Sequence, residues 1–189
     1  MTKQEIKLKL QNILTPKRFT HSLGVMETAV SLAARYGQDE EKAALAGLLH
    51  DCARDIKGEK IFEMCERFNI KFNDIEQMQP ELLHGPIGAA LAREEYGIED
   101  EDILSAIYCH TTGREYMSVL DKIIFIADYI EPARDFPGVD EVRRIAYEDL
   151  NKSMLISLEN IIRHVISKGV LIHPDTVNAR NCILKEKMS

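Results

Sequence analysis

The sequence predicts an all-α fold, a helical bundle in a single domain that spans residues 1–189. Apolar residues recur at helical spacing along most of the chain, and no segment of useful length alternates apolar and polar residues as a half-buried strand would. A length of 189 residues is close to the roughly 150 residues expected per domain, and no repeat, linker or shift in composition divides the chain.

Capping residues place the first two predicted helices. Thr15 followed by Pro16 is typical of an N-cap with proline at the first helical position, and Gly37 is expected to end the helix that begins there. Asp39 is a suitable N-cap for the next helix. Residues 43–49 of that second helix are mostly apolar, so we expect it to lie in the centre of the domain.

The later helices follow from the same signals. Gly85-Pro86 begins a helix that Gly97 ends, and the apolar run 123–127 indicates another central helix. The remaining helices are predicted over residues 59–68, 72–78, 100–109, 118–130, 139–148 and 150–168. A loop is expected from Pro132 to Gly138, and the chain is expected to end in an irregular tail that contains residues 171–175.

Charge and composition argue against several classes of function. The chain has 24 Lys and Arg against 31 Asp and Glu, and a net charge of −7 provides no general positive field for nucleic acid. No stretch approaches the ~18 consecutive apolar residues of a membrane span, and the N-terminal residues lack the apolar core of a secretory signal. The four cysteines form no CxxC pair, so we expect a cytoplasmic protein with buried free thiols.

Four of the six histidines are predicted to point into the core. His21 shares a helical face with an apolar stripe that continues for three turns. His50 and Asp51 end the apolar stretch of the second helix, so an imidazole and a carboxylate reach the core together. His110 follows the apolar face of a later helix, and His84 directly precedes a helix start. A surface histidine would not need these settings.

Asp128 adds a second carboxylate to this set. It follows the run Ile123 to Ala127, where an unpaired carboxylate would cost several kcal/mol to desolvate. On its own, such an aspartate could be paired with an arginine, and a single inward histidine is commonly a hydrogen-bonded core residue. Four inward histidines and two inward aspartates in one small helical domain are better explained together, as a metal site.

The donor set favours two first-row transition-metal ions. Imidazole and carboxylate ligands without thiolates suit Fe, Mn, Co or Zn, and six ligands are too many for one tetrahedral zinc. Asp51 could bridge both ions while the histidines are divided between them. The candidate ligands are His21, His50, Asp51, His84, His110 and Asp128.

The order of these residues resembles the HD-domain metal-dependent phosphohydrolases. His21, the doublet His50-Asp51 and Asp128 match the ligands that define that superfamily, and His84 and His110 are similar to the additions found in members with two ions. The resemblance implies an HD-domain helical bundle with a dinuclear metal site among the central helices. The ions would be divalent or mixed-valence, with iron as the first choice and Mn, Co or Zn as alternatives.

More narrowly, the chain is similar to the YqeK-like family, described as symmetrical diadenosine tetraphosphate hydrolases. The similarity extends over nearly the whole chain and rests on the stretches around the candidate ligands, on residues 134–139 and on the terminal Ala179-Arg180-Asn181. Relatives often have lysine where this chain has Arg54. The positive charge is kept, but a point-charge proton donor is exchanged for a rigid planar fork.

This resemblance implies a hydrolase that cleaves diadenosine tetraphosphate into two ADP. A hydroxide derived from metal-bound water would attack phosphorus, with Asp51 and Arg54 as catalytic residues. Phosphoryl transfer needs cations beyond the metals, and the substrate also needs contacts to its bases. The expected nucleotide and phosphate contacts are Arg18, Thr111, Thr112, Arg134, Phe136 and His173, with Phe136 stacking on a base and His173 covering the nucleotide.

Alternative functions stay open. The substrate of such a phosphohydrolase could be another nucleotide or a deoxynucleotide, and some proteins with this scaffold are di-iron oxygenases. A catalytically silent nucleotide-binding regulator is a third class, and the complete set of candidate ligands argues against it. The expected partner is a nucleotide polyphosphate. Neither nucleic acid nor a membrane is expected, and a homodimer is left open.

Overall fold

The computed structural model describes residues 1–188, which form eleven α-helices and one short 3₁₀ helix without any strand. The α-helices are α1 (Lys3–Ile13), α2 (Pro16–Arg35), α3 (Glu40–Leu49), α4 (Glu59–Arg67), α5 (Asp74–Met78), α6 (His84–Tyr96), α7 (Glu101–Cys109), α8 (Val119–Ile130), α9 (Val139–Ala146), α10 (Leu150–Lys168) and α11 (Pro174–Met188). The 3₁₀ helix spans Pro80–Leu83. The predicted all-α class is therefore confirmed.

Most of the capping residues predicted from the sequence lie at helix ends in the structure. Gly37 adopts a φ of 63°, and beyond it the Gln38 N–H donates to the Ala33 carbonyl at 2.9 Å, which closes the last turn of α2. Thr15 occupies the N-cap of α2 but makes no side-chain capping bond. Its backbone N–H donates instead to Asp55 Oδ2 at 2.9 Å, so this position ties α2 to the segment after α3.

Both ends of the chain differ from the expectation. The tail is irregular only as far as His173, because Pro174 opens the 15-residue helix α11, whose buried residues recur at helical spacing. The prediction of an irregular tail is wrong beyond that point. At the other end, α1 was not predicted. Thr2 and Glu5 form a capping box there, and Ile6 and Leu10 bury one face of the helix.

The centre of the bundle is α8, which packs against α2, α3, α7, α9 and α10. Its residues from Ile123 to Ala127 are all buried, as the run of apolar side chains in the sequence predicts. The four cysteines are buried and free. Among residues 1–188, no helix has the length and hydropathy needed to cross a membrane.

Candidate metal centre

Most of the candidate metal ligands lie at or near the ends of helices. His50 follows the last residue of α3, His110 follows the last residue of α7, and His84 is the first residue of α6. His21 lies in the second turn of α2, and Asp128 lies near the end of α8. The four histidines are all buried, whereas the Asp128 side chain keeps 24% of its surface exposed.

Two glycines let the helices approach closely enough to pair the imidazole rings. A Cβ on Gly47 of α3 would lie 2.9 Å from the Met26 Cα atom of α2, and one on Gly85 of α6 would lie 2.5 Å from the Tyr108 carbonyl of α7. Gly47 is one turn before His50, and Gly85 directly follows His84. These backbone contacts are therefore part of what brings the α2–α3 and α6–α7 histidines together.

Each of the four imidazoles has its Nδ1 atom next to an oxygen that can only accept a hydrogen bond. The acceptors are the Gly47 carbonyl for His50 (2.7 Å), the Ile107 carbonyl for His110 (2.7 Å), the Glu81 carbonyl for His84 (2.5 Å) and the Glu131 carboxylate for His21 (3.0 Å). The proton of each neutral ring therefore sits on Nδ1, and Nε2 carries a free lone pair.

These Nε2 atoms face one another. The His21 and His50 Nε2 atoms are 3.2 Å apart, and those of His84 and His110 are 3.0 Å apart. The Thr111 hydroxyl lies 3.1 Å from both members of the second pair, but its single proton can serve only one of them. Buried lone pairs that converge without donors are the chemistry of a metal site.

The Asp51 carboxylate divides its two oxygens between the histidine pairs. Its Oδ2 atom is 3.4 Å from His50 Nε2 and 3.7 Å from His21 Nε2. Its Oδ1 atom is 3.2 Å from His84 Nε2 and 3.7 Å from His110 Nε2. Asp128 joins the first group, with its Oδ1 atom 3.0 Å from His21 Nε2. The donors fit two neighbouring ions.

Groups of ligand atoms that could each hold one ion overlap within this cluster. Within each group, all ligand atoms lie within 4.8 Å of one another. The groups are His21, His50 and Asp51; Asp51, His84 and His110; and His50, His110 and Asp128.

Positive charge surrounds the two carboxylates. The Arg18 Nη1 atom donates to Asp51 Oδ2 at 2.6 Å, and the Arg134 guanidinium donates to Asp128 Oδ1 and, through Nε, to its backbone carbonyl. Burial alone would raise the pKa of Asp51, but the neighbouring His50, His110 and His84 favour the charged carboxylate and hold that pKa well below its usual value. The carboxylate is therefore ionised, as a metal ligand must be.

Asp128 and His84 are also held in the forms that bind metals. Burial opposes ionisation of Asp128, but the neighbouring His21, His50 and Arg134 lower its pKa further than burial raises it. For His84, burial is the largest effect and lowers its pKa, which favours the neutral imidazole.

Two cavities adjoin the cluster. The first, here called the aromatic cavity, has a volume of about 660 Å³ and is lined by Phe125, Tyr129, Arg134 and Phe136 together with His110, Thr111 and Asp128. The second, here called the basic cavity, has a volume of about 370 Å³ and is lined by Arg18, Arg54, Lys57 and His84 among others. The structure thus places four of the expected nucleotide contacts, Arg18, Thr111, Arg134 and Phe136, beside the cluster.

Two other expected contacts are not brought to the cluster. The Thr112 hydroxyl donates to the Gly113 carbonyl at 3.0 Å. His173 accepts from the Asp175 N–H at 3.2 Å, so its ring caps α11, and it is not among the residues that line either cavity. His164 is exposed, as expected, although its position on the rim of the aromatic cavity was not anticipated.

Sequence reasoning missed Glu131, which is buried against the site. Its carboxylate accepts from His21 Nδ1 and, at 2.7 Å, from the Ala133 N–H. A Cβ on Gly24 would lie 2.8 Å from Glu131 Oε2, so glycine leaves room for this carboxylate beside α2. Its position directly after an apolar helix and before Pro132 does not by itself mark it as buried, so the sequence carried no clear signal for it.

Comparison with known proteins agrees with this arrangement. Residues 18–133, which include all six candidate ligands, match the HD domain. The chain belongs to the HD-domain family. A crystal structure from Clostridium acetobutylicum, described as a predicted HD superfamily hydrolase involved in NAD metabolism, superposes with a TM-score of 0.96. It is 51% identical in sequence, and the match covers 98% of both chains.

Curated relatives of this HD-domain protein carry a more specific name. A protein from Halalkalibacterium halodurans is 49% identical over 92% of both chains, and it is named symmetrical bis(5'-nucleosyl)-tetraphosphatase. A Bacillus subtilis protein with the same name is 41% identical, over 97% of this chain and 98% of its own. The resemblance predicted from the motifs is confirmed.

Proposed function

We propose that this HD-domain protein is a metal-dependent hydrolase that cleaves diadenosine tetraphosphate symmetrically into two ADP. The observation that carries the proposal is the division of the Asp51 carboxylate between two histidine pairs, which suits a pair of ions at one reaction centre. The names of relatives that match over nearly their whole length support the substrate. The proposal assumes a cytoplasmic location.

The ions would be held by this chain in two groups. His21, His50 and Asp128 would hold one ion and His84 with His110 the other, with Asp51 bridging them. Iron, divalent or mixed-valence, is our first choice, with Mn, Co or Zn as alternatives. When bound, such ions polarise phosphate oxygens and lower the pKa of water.

The arginines of the chain would supply the remaining positive charge. Arg18 and Arg134 already touch the two carboxylates, so they lie where phosphate oxygens would approach the cluster. Arg54 is half-buried beside His84, with Nη1 3.2 Å from the Glu81 carbonyl. A planar guanidinium can bind phosphate through two parallel hydrogen bonds. We assign Arg54 to charge stabilisation of the departing phosphate rather than to proton donation.

The reaction balances as a simple hydrolysis. The oxygen of water forms a bond to one of the two central phosphorus atoms, and the bond from that phosphorus to the central bridging oxygen breaks. The departing ADP keeps the electron pair of that bond, and the protons of the water are released. The Thr111 hydroxyl and the arginines would orient the phosphates for in-line attack.

The test is metal analysis of anaerobically purified protein combined with a product assay on diadenosine tetraphosphate. About two ions per chain and ADP as sole product would support the proposal. AMP with ATP would show that a different phosphorus is attacked, which contradicts symmetric cleavage. Consumption of oxygen without nucleotide hydrolysis would favour the oxygenase alternative.

A further inference from the structure

Each of the two cavities adjoins a different member of one histidine pair. His110 and Thr111 line the aromatic cavity, and His84 lines the basic cavity. The Nε2 atoms of His84 and His110 are only 3.0 Å apart, and the Thr111 hydroxyl contacts both. A ligand in either cavity would therefore reach the same reaction centre.

The aromatic cavity is suited to a nucleobase. Tyr129 and Phe136 meet edge to face in its wall, with ring centroids 5.1 Å apart. Its two arginines are already paired, Arg134 with Asp128 and Arg163 with Glu159. The lining thus offers flat apolar surface, with arginines that are paired with carboxylates, which favours the stacking of a base.

The basic cavity has the opposite character. Neither Arg54 nor Lys57 has a carboxylate within 4.0 Å in the part of the chain that the structure describes, and Lys57 makes no hydrogen bond there. Asp55 and Glu81 also line the cavity, but the Asp55 carboxylate accepts the Thr15 N–H, and Glu81 forms no ion pair with Arg54 or Lys57 among residues 1–188. Uncompensated cations in a concave surface attract an anion.

Symmetric cleavage requires two places for the substrate. The reacting bond lies at the middle of the tetraphosphate, so two identical nucleoside diphosphate halves must extend from the metal cluster in different directions. The aromatic cavity can receive one of them. Both cavities, of about 660 and 370 Å³, fall in the range of roughly 300–1,000 Å³ typical of ligand sites.

We propose that the basic cavity is the second half-site of the substrate. It would bind the phosphates of the nucleoside diphosphate half that extends away from the aromatic cavity, with Lys57 as a phosphate contact beside Arg54. This inference rests on the proposed function. Beyond that function, the inference assigns one half of the substrate to base stacking and the other half to contacts with cationic side chains. It also gives a role to Lys57, which the sequence did not single out.

The experiment compares Lys57→Glu with Lys60→Glu, a matched charge reversal at an exposed position three residues away that does not line the cavity. Both lysines are on the surface, so neither change should unfold the protein. In steady-state hydrolysis of diadenosine tetraphosphate, Lys57→Glu should raise KM about tenfold, the factor that corresponds to about 1.4 kcal/mol, with kcat within about twofold. Lys60→Glu should behave as wild type.

Calorimetric titration with ADP gives a second readout. Metal-loaded wild type should bind two ADP per chain, and Lys57→Glu should lose one of these two sites. The inference is overturned if wild type binds a single ADP, or if Lys57→Glu matches Lys60→Glu in both measurements. Failure of wild type to release ADP from the dinucleotide would instead overturn the proposed function, and the ADP titration would still decide whether the basic cavity binds a nucleotide.

Discussion

Glu131 Oε1 lies 3.0 Å from His21 Nδ1, although the two residues are 110 positions apart in the chain. The contact joins the end of α8 to the second turn of α2 and sets the orientation of the imidazole. Because the carboxylate accepts a hydrogen bond from Nδ1–H, the Nε2 lone pair points at Asp128 and His50. Carboxylates in this position also make an imidazole a stronger donor to a metal.

The first prediction concerns this carboxylate. Glu131→Ala should weaken metal binding by about 10- to 100-fold, the usual effect of removing the partner of a histidine ligand. Glu131→Gln should lose less, because its amide oxygen can still accept from His21. The measurement is competition for the metal with a chromophoric chelator.

Glu148→Gln is the matched control for Glu131, since Glu148 lies on the surface and pairs only with Arg144. It should bind metal as wild type does. Equal affinities for the Glu131→Ala variant and wild type would show that His21 is oriented by its neighbours in α2 rather than by this carboxylate.

The role of Glu131 could not be predicted from the sequence, whereas the buried histidines could. His21, His50 and His110 were found because each continues an apolar helical face, and that is a local pattern. The contact of Glu131 depends on how α8 packs against α2, which no local pattern encodes. Likewise, α11 was missed because its cap is the imidazole of His173, an unusual N-cap residue.

A second prediction tests the close packing of α2 and α3. Gly47→Ala should lower the free energy of unfolding by about 1–3 kcal/mol, because a Cβ there meets Met26 backbone atoms that cannot move aside. It should also lower the bound metal, since the His21–His50 pair depends on this contact. Urea denaturation and metal analysis are the measurements.

Gly88→Ala is the matched control for Gly47, because it is another buried helical glycine and a Cβ there makes only ordinary contacts of 3.4 and 3.5 Å. It should be neutral, or stabilising by up to about 1 kcal/mol from helix propensity. Equal stability of Gly47→Ala and Gly88→Ala would mean that the helices separate without cost and that the glycine is not needed for close approach.

A third prediction tests whether Asp51 bridges two ions. Asp51→Asn removes the negative charge that both groups of donors share and replaces one ligating oxygen by an amide nitrogen, so both groups are disturbed. It should hold fewer than one ion per chain, with activity reduced about 100-fold or more. His84→Ala should lose only the ion of its own group. Two ions retained by Asp51→Asn would contradict the bridging role, and His164→Ala, which changes an exposed histidine, should keep its metal.

The last prediction concerns removal of the metal. Without an ion, the facing Nε2 lone pairs of the two histidine pairs lack a common partner, so the bound ions should stabilise the fold by mass action. An ion present at about 1,000 times its dissociation constant contributes about 4 kcal/mol for its site. At about 2–4 °C per kcal/mol for a chain of this size, chelation should lower Tm by roughly 8–16 °C for each ion removed. Calorimetry with and without chelator measures the shift, and added metal should reverse it.

In His50→Ala, where a ligand of the first group is missing, the same chelator should produce a smaller shift. An equal shift in both proteins would place the stabilising ion elsewhere.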